Sequence, residues 1–114
     1  MDITEQRDGQ TCVLALAGKL DSSSAAAFST QAVALCGSDI RGLLIDLQQV
    51  DYLTSAGFRA LMAIKRRADQ ATVRFALCGL SDIVRELFEI GGLLGAFGIY
   101  PDRETALAAV DTQD

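Results

Sequence analysis

The sequence predicts a single α/β domain built on a mixed sheet with helical crossovers. Three observations carry that prediction: an opening pair of strand-like runs joined by a tight turn, strand and helix patterns that alternate after it, and one continuous apolar run that reads as a strand covered on both faces. With 114 residues, half of them hydrophobic, and one proline, the chain is long enough for one domain with a real core and too short for two, so residues 1–114 are read as one unit.

Each element follows from local chemistry. Residues 3–6 and 11–17 flank Arg7-Asp8-Gly9-Gln10, where Asp-Gly supplies the positive backbone angles of a tight hairpin, so the first two strands pair antiparallel. Asp21 offers a side-chain acceptor as N-cap for an Ala-rich helix over 22–36, with Phe28, Val33 and Leu35 as its larger apolar residues and Gly37 ending it. Leu43-Leu44-Ile45 is continuous rather than alternating, which predicts a central strand over 42–47. After Ser55 the spacing of Phe58, Leu61, Met62 and Ile64 is helical, the basic run Lys65-Arg66-Arg67 suits a helix end, and Asp69-Gln70 marks the exit. Residues 72–78 return to strand through Val73, Phe75 and Leu77. Ser81 caps a helix with the stripe Ile83, Val84, Leu87, Phe88 and Ile90, which Gly91-Gly92 breaks. Ile99-Tyr100 suits a short terminal strand segment, Pro101-Asp102 opens a last helix anchored by Leu107 and Val110, and the tail 111–114 is expected to fray.

Composition excludes several functions. A net charge of -5 argues against a nucleic-acid partner, because phosphate contacts need clustered Lys and Arg. No apolar run approaches the ~20 residues that span a bilayer, and the start Met1-Asp2-Ile3-Thr4-Glu5 lacks a secretory signal, so a cytoplasmic location without membrane insertion is expected. Cys12, Cys36 and Cys78 are odd in number, lack a C-x-x-C pair and sit in apolar settings, as buried thiols do in a reducing compartment. The chain has no histidine, so the commonest metal ligand and general base is missing, and no cofactor, metal or catalytic residue is expected. Leu53-Thr54-Ser55-Ala56-Gly57 copies the second half of a nucleophile elbow without its first glycine or a base. Gly18-Lys19-Leu20 lacks the P-loop context, and Gly91-Gly92-Leu93-Leu94-Gly95 does not follow a strand as a dinucleotide fingerprint must.

What remains is the small-residue turn Thr54-Ser55-Ala56-Gly57 between a strand and an amphipathic helix. A helix N-terminus gathers unpaired N–H groups and positive dipole, so a serine there can carry a phosphate, or can simply cap the helix. Small Ala56 and flexible Gly57 are expected to let another protein's surface approach. Asp46 and Asp51 bracket the strand end and read first as solvated loop carboxylates, with a divalent-ion site or the steering of a basic partner as the alternatives.

The chain resembles STAS domains of the anti-sigma factor antagonist family. The resemblance runs almost end to end, through Gly18-Lys19-Leu20-Asp21, Ile45-Asp46-Leu47-Gln48-Gln49-Val50, Leu53-Thr54-Ser55-Ala56-Gly57, Leu80-Ser81-Asp82-Ile83-Val84-Arg85-Glu86-Leu87 and Ile99-Tyr100-Pro101. It implies the STAS fold, a four-stranded sheet with helices packed mainly on one face. It also implies a partner switch that binds an anti-sigma factor serine/threonine kinase when Ser55 is free and releases it when Ser55 is phosphorylated. The kinase would supply ATP and magnesium, and a serine phosphatase would reset the switch. Thr54, where the family often has Asp, leaves a second hydroxyl beside Ser55 as the alternative acceptor. Asp21, Ser22, Thr54, Ala56, Gly57 and Phe58 are the implied partner-facing residues. Phe58 stands where a smaller aliphatic side chain is usual, and it reads either as a modifier of the docking groove or as a buried helix anchor. Two alternatives keep the fold: a STAS scaffold or subunit never phosphorylated, for example of a lipid-transport ATPase or a signalling complex, and a nucleotide-sensing module.

Overall fold

In a computed structural model that describes residues 1–111, the chain forms one sheet of five strands in the order β1-β2-β3-β4-β5. β1 (Asp2–Asp8) pairs antiparallel with β2 (Thr11–Leu20), and Asp8 faces Thr11 across a two-residue loop of Gly9 and Gln10. Gly9 takes φ +63°, the conformation that this turn requires at its first loop position. β3 (Gly42–Leu53), β4 (Arg74–Cys78) and β5 (Gly98–Tyr100) then add in parallel.

The helices α1 (Ala25–Cys36), α2 (Ser55–Gln70) and α3 (Asp82–Ile90) connect consecutive parallel strands. Steps in one direction across the sheet with crossovers of one hand put all three on the same face. The main core lies there: Cys12, Leu14 and Leu16 of β2, with Leu43, Ile45 and Leu47 of β3, meet Phe28, Leu61, Ile64, Val84 and Phe88 from the helices. The opposite face is covered by α4 (Arg103–Asp111), whose Ala106 and Val110 pack on Val13, Leu44, Ala76 and Cys78. β3 is thus buried on both faces over its first six residues, as its unbroken apolar run required.

The sheet has five strands where four were expected, because the Ile99-Tyr100 segment pairs with β4 through Leu77 and Cys78. Phe97, buried against Phe88 and Phe75 at ring separations of 5.8 and 6.1 Å, holds that short strand in place. β3 runs to Leu53 instead of Leu47; Gln48, Gln49, Asp51 and Tyr52 point outward, while Val50 and Leu53 stay buried. Helix α1 begins at Ala25, three residues later than expected, because residues 21–24 form a turn in which the amides of Ser24 and Ala25 donate to the Asp21 carbonyl.

Ser81 caps α3 as expected, accepting from the Val84 amide at 3.3 Å. Ile83 and Ile90, assigned to its inward stripe, are instead 59% and 77% exposed, since a nine-residue helix buries only Val84 and Phe88 fully. Asp102 caps α4 by accepting from the Thr105 amide at 2.7 Å. Asp111 ends α4 and accepts a hydrogen bond from Thr11 Oγ1 at 2.7 Å, so it does not fray; residues 112–114 lie outside the described part.

Asp46 is not a solvated loop carboxylate. It is buried in β3, accepts from the Gln48 amide at 3.0 Å, and pairs with Arg103 of α4 at 3.0 Å. Arg103 also donates to the Gln6 side chain, which ties the last helix to the hairpin. All three cysteines are free and buried. Burial raises the thiol pKa of Cys12 and Cys36, and burial together with the Asp46 carboxylate pushes Cys78 up to about 12. The native protein should therefore show no fast-reacting thiol toward Ellman's reagent near pH ~8, and all three thiols after denaturation. A stoichiometric fast reaction in the native state would contradict this packing.

Candidate functional site at the carboxyl ends of β2 and β3

β2 and β3 run parallel with Leu20 beside Leu53, so the loops that leave them, 21–24 and the Thr54-Ser55 junction, lie next to each other. The Thr54 amide donates to the Leu20 carbonyl at 3.1 Å and fixes that neighbourhood. This register sets the loop of Asp21 and Ser22, which the resemblance implied to be partner-facing, beside the Thr54-Ser55 junction.

The first loop is held by Asp21. Its Oδ1 accepts from the Ser23 hydroxyl at 2.6 Å and the Ser23 amide at 2.9 Å, while Ser24 Oγ accepts from the Asp21 amide and donates to the Lys19 carbonyl. The Ser23 hydroxyl and amide hold the Asp21 carboxyl below the usual carboxylate range. Asp21 therefore organises its own turn rather than capping α1, and Ser22 projects from that turn, exposed.

At the second loop Thr54 has extended backbone and serves as N-cap residue of α2, with Ser55 as the first helical residue. The two adjacent hydroxyls differ in kind. Ser55 is exposed, whereas Thr54 Oγ1 is buried, makes no capping bond, and finds no hydrogen-bond partner among the described residues. The amides at the start of α2 are thus left without a side-chain cap, which is the setting in which a helix N-terminus favours an anion.

Gly57 does not play the part expected of it. It is buried, and a Cβ there would lie 2.7 Å from the Leu20 carbonyl oxygen and 2.7 Å from Leu53 Cδ2. Its missing side chain lets the first turn of α2 sit on the end of β2, so it faces the fold and not a partner. Ala56 is partly buried against the core, and Phe58 is partly exposed with its ring edge-to-face against Phe88 at 5.0 Å. Phe58 thus packs against the core through Phe88 while staying partly exposed, and its outer side lines a groove.

That groove, about 420 Å³, runs along α2 from Ser55 and is lined by Phe58, Arg59, Met62, Arg66 and Leu93. Sequence reading missed Arg59 and Arg66. The signal was present, since 55, 59, 62 and 66 follow helical spacing from the serine itself; Leu93 carried none, because it arrives from the loop after α3. A larger depression of about 730 Å³ lies away from this site, between α4 and the start of β4, with Arg41, Arg74, Asp69 and Asp111 in its wall. Its mixed charges, and the Arg74 bond to the Val110 carbonyl at 3.2 Å, make it the seam that joins α4 to the sheet. Among the described residues no group of three or more His, Cys, Asp or Glu is arranged to hold a metal ion, and no helix is long and apolar enough to cross a membrane.

Residues 3–99 match the family model described as Mlab, STAS domain. BtrV of Bordetella bronchiseptica, a candidate anti-sigma factor antagonist, is 31% identical over 112 residues, which cover 98% of this chain and 97% of BtrV. A solved anti-sigma factor antagonist from Mycobacterium paratuberculosis aligns with a TM-score of 0.87 and 25% identity, over 96% of this chain and 93% of that one. The Bacillus cell fate determinant SpoIIAA in its phosphorylated form shares the fold at a TM-score of 0.75 and 18% identity, over 96% and 99% of the two chains.

Two substitutions test this geometry by denaturant unfolding. Gly57→Ala should lower stability by about 1 to 3 kcal/mol, because the Leu20 carbonyl, together with the buried Leu53 and Leu20 side chains, blocks the added methyl. Thr54→Val should leave stability unchanged or raise it by about 1 kcal/mol, because it removes a buried hydroxyl without a partner.

Proposed function

This chain belongs to the STAS domain family, and we propose from that premise that it is an anti-sigma factor antagonist whose grip on an anti-sigma factor serine/threonine kinase is controlled at Ser55. The observation that carries the reading is the contrast between two neighbouring hydroxyls: Ser55 is exposed on the first turn of α2, and Thr54 Oγ1 is enclosed. A kinase active site reaches the first and not the second. The relatives that span the chain's length are named for regulation rather than catalysis, which supports a regulatory role.

The chemistry of the switch is simple. The kinase supplies ATP and magnesium; the bond from the γ-phosphorus to its bridging oxygen breaks, a bond to Ser55 Oγ forms, ADP leaves, and the hydroxyl proton passes to a kinase base. The product adds about 1.5 to 2 negative charges at neutral pH to a chain already at -5. The amides opening α2 receive the new oxygens, so the fold need not change. A partner that covered the neutral hydroxyl must then bury a charge, and each ~1.4 kcal/mol of that cost is a tenfold loss of affinity. Phosphorylation therefore releases the kinase, which is then free to hold its sigma factor, and a serine phosphatase restores binding.

The proposed partner surface comprises Ser22 with Asp21 on one loop, and Ser55, Ala56 and Phe58 on the other. Thr54 contributes backbone, and Gly57 acts from beneath. A cytoplasmic setting supplies the ATP-dependent partner and suits three reduced thiols.

Incubation with ATP and each candidate anti-sigma factor serine/threonine kinase, followed by intact-mass measurement, should show one added phosphoryl group with the cognate kinase. Ser55→Ala should abolish it and Thr54→Val should retain it. An unmodified mass after that treatment would support a fixed scaffold role, and loss of the added mass in Thr54→Val alone would move the site to Thr54.

A further inference from the structure

The groove beside Ser55 carries a cation that the switch described so far does not use. Arg59 is exposed, lies four residues after Ser55 and so one turn along on the same face of α2, and lines the same groove. The ion pairs among the described residues are Arg7 with Asp39, Lys65 with Asp69 and Arg103 with Asp46, so the Arg59 guanidinium has no acidic partner there. The first turn of α2 holds no acidic residue that would occupy it.

Building on Ser55 as the phosphorylation site, we propose that Arg59 is an in-cis receptor for the phosphoryl group, a site for a phosphomonoester dianion formed by one turn of α2. The guanidinium is a planar fork that can donate two parallel hydrogen bonds to phosphate oxygens, and a partner one helical turn away is within its reach. Before modification, Arg59 and Arg66 give the rim of the groove positive charge above an apolar floor of Phe58, Met62 and Leu93, on a chain that is acidic overall. After modification, Arg59 turns to the phosphate. The switch thus withdraws a cation from the partner-facing rim as well as adding an anion.

The test needs no kinase. Protein carrying genetically encoded phosphoserine at position 55 is titrated by phosphorus-31 NMR, alone and with Arg59→Gln, Arg59→Lys or Arg66→Gln, with nitrogen-15 spectra to verify an unchanged fold. The second ionisation of the phosphate, ordinarily near pH ~6, should fall at lower pH in the parent than in Arg59→Gln by about half a pH unit. Arg66→Gln should match the parent and Arg59→Lys should lie between. Identical titrations of the parent and Arg59→Gln would overturn the proposal. So would an equal displacement by Arg66→Gln, which would mean a diffuse field instead of a contact. A kinase that fails to modify Ser55 would sink the proposed function and leave this titration as it stands, so the two failures are distinguishable.

Discussion

The arrangement rests on one close approach, that of the first turn of α2 onto the end of β2. At Gly57 there is no room for even a methyl group between the helix and the Leu20 carbonyl, and the Thr54 amide bonds that same carbonyl from above. These contacts bring the β2–α1 and β3–α2 loops together and decide which way each hydroxyl of the junction turns. Thr54 is rotated into the protein, and Ser55, one residue later on the helix, is rotated out. A residue with a side chain at position 57 would lift the helix and dissolve that distinction.

Much of the fold was legible in the sequence because its signals were local. Gly9 at the hairpin, the unbroken Leu43-Leu44-Ile45 run, Ser81 before α3 and Pro101-Asp102 before α4 each act through backbone geometry within a few residues, and each element stands where that chemistry put it, although the hairpin loop is Gly9-Gln10 and Asp8, expected to share the turn, is paired in β1. The sequence was misleading where the cause lay far along the chain. Asp46 looked like a loop carboxylate because its partner, Arg103, is 57 residues away and joins it only when α4 folds back across the sheet. The polar half of β3 resembled a loop because its outward side chains are water-exposed, although its backbone remains paired with β2 as far as Leu53. β5 is three residues long, too short to show a period, and is held by Phe97 from outside the strand.

The candidate site divides along the same line. A serine at the start of α2 followed from turn chemistry, while its singling out and the proximity of Asp21 came from the resemblance to STAS domains. The role of Gly57 did not, because a glycine chosen for flexibility and a glycine chosen for close packing look alike until the Leu20 carbonyl is seen beside it. The groove needed α3 and its following loop to deliver Phe88 beneath Phe58 and Leu93 at the rim. Electrostatics complete the division of labour between the two faces of the sheet. Arg103 and Asp46 neutralise each other at the start of α4, whereas Arg59 and Arg66, along the groove that begins at Ser55, have no acidic ion-pair partner among the described residues on a chain of net charge -5.

The central claim is that a partner covers the face made by the carboxyl ends of β2 and β3. Amide chemical-shift mapping of the unphosphorylated protein, titrated with the anti-sigma factor kinase that phosphorylates it, tests that claim most directly. The account predicts perturbations concentrated at Asp21, Ser22, Ser55, Ala56, Phe58 and Arg59, with the seam around Arg41 and Val110 undisturbed. Perturbations confined to that seam, with Ser55 and its neighbours unchanged at saturation, would contradict it.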